Sequence, residues 1–541
     1  MVGSGRDTYP AVLEAAAAEA PDRVFLHCAS ERAARDTVTY AELEQRGRQV
    51  AAGLLALGIG PGDRIAVAAA NQAEWLELFF GAARIGVVVV TLNVRYRAAE
   101  LEYMINQARV RLVVTAAKAG EVDLEAFYPG FRSAVPTVEH VLYLGGSGAG
   151  EPYSALLKAP DPGPDLDRRA AAVAEGDPAV ILYTSGTTGR PKGAVLTHAS
   201  LLGAGRAQAA RMSAGPDDVY LSAMPLNHVG GLTCTVTTAL VGRSTVVLPR
   251  AFSPATALRD ITEYRATAFA GVPTMWTLVL GHESFQGADT SSVRTGVVGG
   301  ANADPALCAA IGKGFPGVRL FNLYGLSEVS GACVMSGPDD DLDTVARTLG
   351  TPLDGVRTRV VDTGGADVPP GGEGELLVAG PGTAAGYWGL PEATAEVFLP
   401  GGWVATGDIV TAEPDGHLVI RGRRKEMFLQ GGYNVYPVEV ENVLTAHPGV
   451  AMAAGIGVPD RVLGEVGRYY VQLRPGQRVG AEELTAFCAE RLANYKVPRQ
   501  LELVDELPVT PTGKVAKAVL RDRYLADTGA ATNADTRSTT G

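Results

Sequence analysis

Residues 183–193 read Tyr-Thr-Ser-Gly-Thr-Thr-Gly-Arg-Pro-Lys-Gly, and their types and spacing suit the binding of a polyphosphate. After the tyrosine come four hydroxyl side chains, Thr184, Ser185, Thr187 and Thr188, with three glycines and two cations. Glycines such as Gly186 let backbone N–H groups approach a ligand closely, hydroxyls donate hydrogen bonds, and Lys192 supplies a compact positive charge. The order is not that of a Walker A loop, which needs Gly-Lys followed by Ser or Thr; here Pro191 precedes Lys192 and Gly193 follows it. By composition alone such a stretch is a flexible surface loop. Its flanks, Ala179-Val180-Ile181-Leu182 and Ala194-Val195-Leu196, are apolar and place it between buried segments.

The elements that position this loop follow from the pattern around it. Residues 8–20 and a stretch ending near Leu57 carry apolar residues at helical spacing. Short apolar runs at 64–70, 87–92 and 112–114 alternate with helical patterns at 71–85 and 101–107, which predicts βαβ units and a parallel sheet. A third helix–strand series runs from about Leu201 to Leu320. Residues 145–170 are rich in Gly, Pro and Asp and read as a surface connection. From 357 to 387 the pattern shifts to short alternating strands, predicting a smaller β-rich subdomain. Residues 528–541 are polar and low in apolar side chains, a composition that favours disorder.

The chain has 541 residues, too many for one ordinary core, with 46% hydrophobic and 20% charged residues. A formal net charge of −12 argues against non-specific nucleic-acid binding and against docking on an anionic membrane surface. An anionic substrate must therefore be drawn by a local positive site. The five cysteines form no CxxC pair, which fits reduced thiols and a cytoplasmic setting. The N-terminal residues show no apolar signal region, and no apolar run is long enough to span a bilayer.

Further segments repeat the pattern of chemistry-bearing residues beside turns. These are 224–231 (Met-Pro-Leu-Asn-His-Val-Gly-Gly), 296–301 (Gly-Val-Val-Gly-Gly-Ala), 322–328 (Asn-Leu-Tyr-Gly-Leu-Ser-Glu), 403–408 (Trp-Val-Ala-Thr-Gly-Asp), 421–426 (Arg-Gly-Arg-Arg-Lys-Glu), 430–441, and 507–515, whose Pro/Gly-rich loop presents Lys514. With the loop at 183–193, these segments resemble, in order, the signatures of the adenylate-forming superfamily: acyl-CoA synthetases, nonribosomal-peptide adenylation domains and luciferases. The resemblance covers about residues 10–525.

It implies an α/β fold. A large N-terminal domain of layered α/β subdomains plus a β-rich subdomain would span residues 1–423, a small mobile α+β domain 424–527, and a tail 528–541. It assigns the nucleotide to Thr184, Ser185, Gly186, Thr187, Thr188, Lys192, Gly300, Ala301, Asn322, Tyr324, Gly325, Ser327, Asp408, Arg423 and Lys514. Catalysis falls to Lys514, Lys192, Glu328 and Thr184, with Glu328 on Mg²⁺. Tyr324 packs beside adenine, while Asp408 and Arg423 hold the ribose. Lys425 is the hinge. His228, Gly300, Gly331, Gly432 and Tyr433 line the acyl and CoA pockets. Gly422 stands where many relatives have aspartate, and Ser327 where threonine is commoner.

The activity implied is joining a carboxylic acid to the α-phosphorus of ATP, followed by thiol attack on the acyl-adenylate, with Mg²⁺ and CoA. Rotation about Lys425 exchanges Lys514 for Gly432 between the two steps. No aspartate lies between Pro225 and Thr235 to hold an α-amino group, and residues 329–334 are mostly small. The first point disfavours an α-amino acid, and the second leaves room for a bulky apolar, aromatic or alicyclic acyl group. The acceptor stays open between CoA and a separate carrier protein, as do a half-reaction or non-catalytic relative and association as a homodimer.

Overall fold

The computed structural model describes residues 7–29, 36–94, 96–119, 122–145, 150–184, 190–301, 303–509 and 515–528. Ser185, Gly186, Thr187, Thr188, Lys514 and nearly all of the expected tail lie outside the described residues. The chain divides into two compact units. The first is Met1–Ala303, Leu307–Arg359 and Leu377–Thr406; the second is Asp304–Ala306, Val360–Leu376 and Gly407–Gly541.

The first unit opens with two capped helices. Thr8 accepts a hydrogen bond from the Ala11 N–H at the start of Tyr9–Glu19, and Thr39 with Glu42 forms a capping box at the start of Tyr40–Ala56. Such caps satisfy amides that have no partner within the helix. A seven-stranded sheet follows, in the order Lys192–Thr197, Pro178–Thr184, Val88–Thr91, Arg64–Ala68, Leu112–Ala116, His140–Leu144, Glu151–Pro152. Its pairs are parallel except the first, which is an antiparallel hairpin. Parallel neighbours require crossovers, supplied here by helices Ala73–Arg84 and Ala98–Gln107. Val88–Thr91 and Leu112–Ala116 are buried at every position, which is why they read as unbroken apolar runs.

A nine-stranded sheet has a parallel centre, running through Val24–His27, Thr245–Val247, Val219–Leu221, Ala268–Gly271, Thr295–Gly299 and Arg319–Tyr324, with antiparallel strands at both edges. Residues 150–170 differ from the surface connection expected of 145–170. Tyr153, Leu156 and Leu166 are buried in the core, and Tyr153 donates to Glu77 Oε2 at 3.2 Å. A Cβ on Gly53 would stand 2.3 Å from the Leu156 carbonyl, so a glycine in the facing helix admits this segment. Its apolar anchors are too widely spaced to show a period.

Within the stretch expected to be β-rich, Arg357–Val361 and Glu373–Ala379 are short strands. The second unit contains a sheet ordered Tyr433–Val435, Phe428–Gln430, Gly464–Leu473, Val450–Asp460, with Gln500–Val504 also beside Gly464–Leu473. Tyr469 packs in a cluster with Val440, Leu444, Leu484 and Cys488, whereas its neighbour Tyr470 packs with Leu520 and Tyr524. Alternation along a strand thus puts helices Pro437–Thr445 and Ala481–Ala489 on one face and Lys517–Thr528 on the other. The α/β class with a large N-terminal and a smaller C-terminal domain is therefore as expected. Among the described residues no helix is long and apolar enough to cross a membrane.

Candidate active site

Thr184 ends one arm of the hairpin and Lys192 begins the other, and the two are cross-strand partners. The Thr184 hydroxyl donates to the Lys192 carbonyl at 3.4 Å, a long contact. The described ends of the polyphosphate-suited stretch, 183–184 and 192–193, therefore lie on the two paired arms, at the edge of the seven-stranded sheet. Gly193 keeps the arms close: a Cβ there would lie 2.7 Å from Ile181 Cγ2. Tyr103 holds the second arm, donating to the Pro191 carbonyl at 3.1 Å with the Arg190 guanidinium 5.3 Å from its ring centre.

Residues 384–388 strap this arm. The Ala385 N–H donates to the Val195 carbonyl at 2.9 Å, Val195 N–H to Gly386 at 2.9 Å, and Trp388 N–H to Gly193 at 2.8 Å. The strap carries Tyr387, which is buried. Lys192 Nζ lies 5.3 Å from the Tyr387 ring centre, and the Tyr387 hydroxyl donates to Glu328 Oε1 at 2.6 Å. Burial and the neighbouring Glu328 charge push the phenol pKa well above its ordinary value, so it stays a donor at working pH. Glu328 sits in the short turn Ser327–Val329 just beyond Arg319–Tyr324, and its carbonyl accepts from Ala384 N–H at 2.9 Å. Sequence reading named Lys192 and Glu328 but missed the tyrosine joining them. Its only trace was the Gly-Tyr pair at 386–387 ending a β-rich stretch.

The other residues of this unit expected at the nucleotide lie at or just beyond the C-terminal ends of parallel strands, where open α/β sheets bind ligands. Gly300, at φ 77°, and exposed Ala301 follow Thr295–Gly299. Tyr324 ends Arg319–Tyr324, half-buried, and Ser327 is buried. Asn322 is buried, and its amide donates to the Thr348 carbonyl at 2.7 Å and to Val345 at 3.3 Å, tying the strand to helix Leu342–Arg347. Gly325 meets Gly331 backbone to backbone, since a Cβ on Gly325 would stand 1.3 Å from the Gly331 carbonyl oxygen.

His228 caps a short helix: its Nδ1 accepts from Gly230 N–H at 3.0 Å, which in the neutral ring assigns the proton to Nε2. The helix continues as a π turn, Leu232–Thr237. Hydroxyls of Thr235, Thr237 and Thr238 donate to the Gly230, Leu232 and Thr233 carbonyls at 2.9, 2.9 and 3.1 Å. Such wide turns recur at functional sites. Gly331, at φ 112°, faces this turn, and a Cβ there would stand 2.8 Å from Cys234 Sγ and 3.3 Å from Val229 Cβ. Burial pushes the Cys234 thiol up to about 12, making it a neutral, nonpolar wall.

In the second unit, Asp408 and Arg423 are cross-strand partners, with Arg423 Nε 2.9 Å from the Asp408 carboxylate, which is 4% exposed. Gly407 N–H and Arg424 both donate to Glu375, fixing the turn before Asp408. Lys425 is exposed. Gly432 takes φ 85° and is exposed, and exposed Tyr433 stacks on Tyr495 with ring centres 4.6 Å apart. A Cβ on Gly422 would meet Tyr436 Cβ at 2.7 Å, so the aspartate common elsewhere does not fit beside this tyrosine.

The α/β fold and the strand-end positions are those expected of an adenylate-forming enzyme. The AMP-binding enzyme family matches residues 13–388, and its C-terminal domain matches 439–514. The chain belongs to this AMP-binding enzyme family. It is 37% identical over 506 residues to a feruloyl-CoA synthase from an Amycolatopsis species, covering 93% of this chain and 97% of that one. It is 36% identical over 516 residues to a methyl-dioxo-octahydro-indenyl propanoyl:CoA ligase from Mycobacterium tuberculosis, covering 95% and 98%. A crystal structure of an anthranilate CoA ligase with anthranoyl-AMP superposes with a TM-score of 0.85 at 25% identity, over 95% of this chain and 97% of that one.

Proposed function

We propose that this protein activates a carboxylic acid with ATP as the acyl-adenylate and transfers the acyl group to CoA, releasing AMP. It is an AMP-forming acyl-CoA synthetase. The observation that carries the site assignment is the cation and the carboxylate, Lys192 and Glu328, gathered on one tyrosine at the start of the hairpin's second arm.

The first step brings two anions together. Like charges 4 Å apart repel by about 1 kcal/mol in water and about 4 kcal/mol near a protein surface, so local cations decide whether attack occurs. Lys192 neutralises phosphate oxygens from the hairpin, and the Thr184 hydroxyl adds a donor. Among the described residues no cluster of three or more His, Cys, Asp or Glu side chains could cage a metal. A single carboxylate such as Glu328 instead suits Mg²⁺, which binds through one or two carboxylates plus substrate phosphates. Glu328 would hold it, and bound Mg²⁺ supplies positive charge to the phosphate oxygens. Ser185, Gly186, Thr187, Thr188, Gly300, Ala301, Gly325 and Ser327 complete the phosphate and adenine surroundings, with Tyr324 against the base. Asn322 serves the same site by holding the strand that carries Tyr324. Asp408 accepts from the ribose hydroxyls, with Arg423 beside it.

No acid or base is required for the attack; positioning and electrostatic stabilisation suffice. Lys514 bridges the acid and the α-phosphate in this step. Rotation about Lys425 then moves the domain of residues 424–527 relative to residues 1–423, replacing Lys514 by Gly432 and Tyr433 at the thiol entrance. The acid lies beside His228 and Gly331, against the π turn. The small residues there and the bulky acyl groups in the relatives' names support an aromatic or alicyclic acid. None of the five cysteines is in a disulfide, which supports a cytoplasmic enzyme.

The test is pyrophosphate release from ATP and Mg²⁺ across fatty, aromatic and alicyclic acids, with and without CoA. CoA-dependent turnover with a ring-bearing acid is expected. Pyrophosphate release without acyl-CoA product would point to a carrier-protein acceptor, and release with short acids alone would refute the assigned substrate class.

A further inference from the structure

We infer that Tyr387 is a positioning residue for adenylation, aligning the Glu328 carboxylate and the Lys192 ammonium as one unit for the metal–nucleotide complex. The inference rests on the site assignment above and adds a residue to it. The hydroxyl donates to Glu328 Oε1 at 2.6 Å while the ring face lies 5.3 Å from Lys192 Nζ. One aromatic side chain therefore addresses the anion through its edge and the cation through its face, keeping the two charges from collapsing onto each other.

Tyr387 is itself immobilised. Its N–H donates to Thr394 Oγ1 at 2.9 Å, and its ring meets Phe398 edge-on at 5.4 Å. Gly386, at φ 126°, brings the strap against Thr394, where a Cβ would meet Cγ2 at 2.7 Å. The strap's backbone bonds to the hairpin arm hold the tyrosine in register with Lys192. A carboxylate with one oxygen tied to a fixed neutral donor has a set plane and keeps its charge for a cation.

Tyr387→Phe removes the hydroxyl and keeps the ring over which Lys192 lies. Three measurements test it: Mg·ATP binding by calorimetry without acid, the Mg²⁺ dependence of pyrophosphate release, and thiolysis of supplied acyl-adenylate. The expected result is roughly 10–100-fold weaker Mg·ATP binding and a matching shift of the Mg²⁺ response to higher concentration, as for removal of a group that orients a metal ligand. Thiolysis and the nucleotide-free melting temperature stay at the wild-type values. An unchanged Mg²⁺ response and Mg·ATP affinity would overturn the inference. So would an equal loss of both half-reactions with a lowered melting temperature, the mark of a structural role. Glu328→Gln is measured alongside. If it shifts the Mg²⁺ response and Tyr387→Phe does not, only the role of Tyr387 falls; if neither shifts it, the assignment of Glu328 falls too.

Discussion

Gly331→Ala is the sharpest probe of where the acid sits. The added methyl would stand 2.8 Å from Cys234 Sγ and 3.3 Å from Val229 Cβ, on a backbone at φ 112°. Two penalties combine. Overpacking costs about 1–3 kcal/mol, and a side chain at this φ costs about 1–3 kcal/mol more. They separate experimentally, because Cys234→Ala removes the sulfur the methyl strikes and leaves the backbone strain. If the acyl ring lies against the π turn, crowding of this size lowers kcat/KM for an aromatic acid by roughly 10–200-fold, with a smaller effect on a short acid. The Gly331→Ala/Cys234→Ala double variant should recover part of that loss, a coupling of about 0.5–3 kcal/mol. The assay is pyrophosphate release with a ring-bearing acid and with acetate, each at several concentrations. An equal loss for both acids, or no recovery in the double variant, would refute the placement of the acid at Gly331.

Lys514→Ala should lower adenylate formation by roughly 10²–10³-fold while sparing thiolysis of supplied acyl-adenylate, and equal loss of both would contradict the division of labour. Gly422→Asp, restoring the commoner residue, should lower stability by about 1–3 kcal/mol because Tyr436 fills the space; Tyr436→Ala in the same chain should relieve the clash, and thermal melts read both. His198 is fully buried, and its Nδ1 accepts from Tyr9 N–H at 3.2 Å; burial pulls its pKa down to about 4. The unfolded chain then binds the proton more readily, so the contribution is intact above the unfolded pKa of about 6.5 and is lost as pH falls from there towards 4. Between pH 6.5 and 5 the loss is about 2 kcal/mol, and denaturant melts of His198→Asn should show a correspondingly flatter acid limb.

What the sequence made legible was local chemistry. The order of hydroxyls, glycines and lysine in 183–193 predicts both the loop and its flanking strands, because composition and apolar flanks act over a few residues. Tyr387 was invisible because its partners are remote, Glu328 alone being 59 positions away, and a tyrosine after a glycine carries no signal of either. The π turn at 232–237 was equally hidden, since its threonines read as indifferent helix formers until their hydroxyls meet carbonyls five residues back. Asn322, expected at the nucleotide by resemblance, also donates its amide to Val345 and Thr348, a structural tie that no local pattern announces. Only tertiary contact shows which job a polar side chain has taken.

The strap across the hairpin also sets an order of events during synthesis. The arm Lys192–Thr197 leaves the ribosome well before residues 384–388 that cover it. At typical elongation rates the interval is about 10–40 s. Throughout it, the outer groups of that arm, at Gly193 and Val195, lack the strap that later meets them, an open template for another chain. The nascent protein therefore passes through a window in which the outer edge of that arm is uncovered, and closing it coincides with seating Tyr387 beside Lys192 and Glu328.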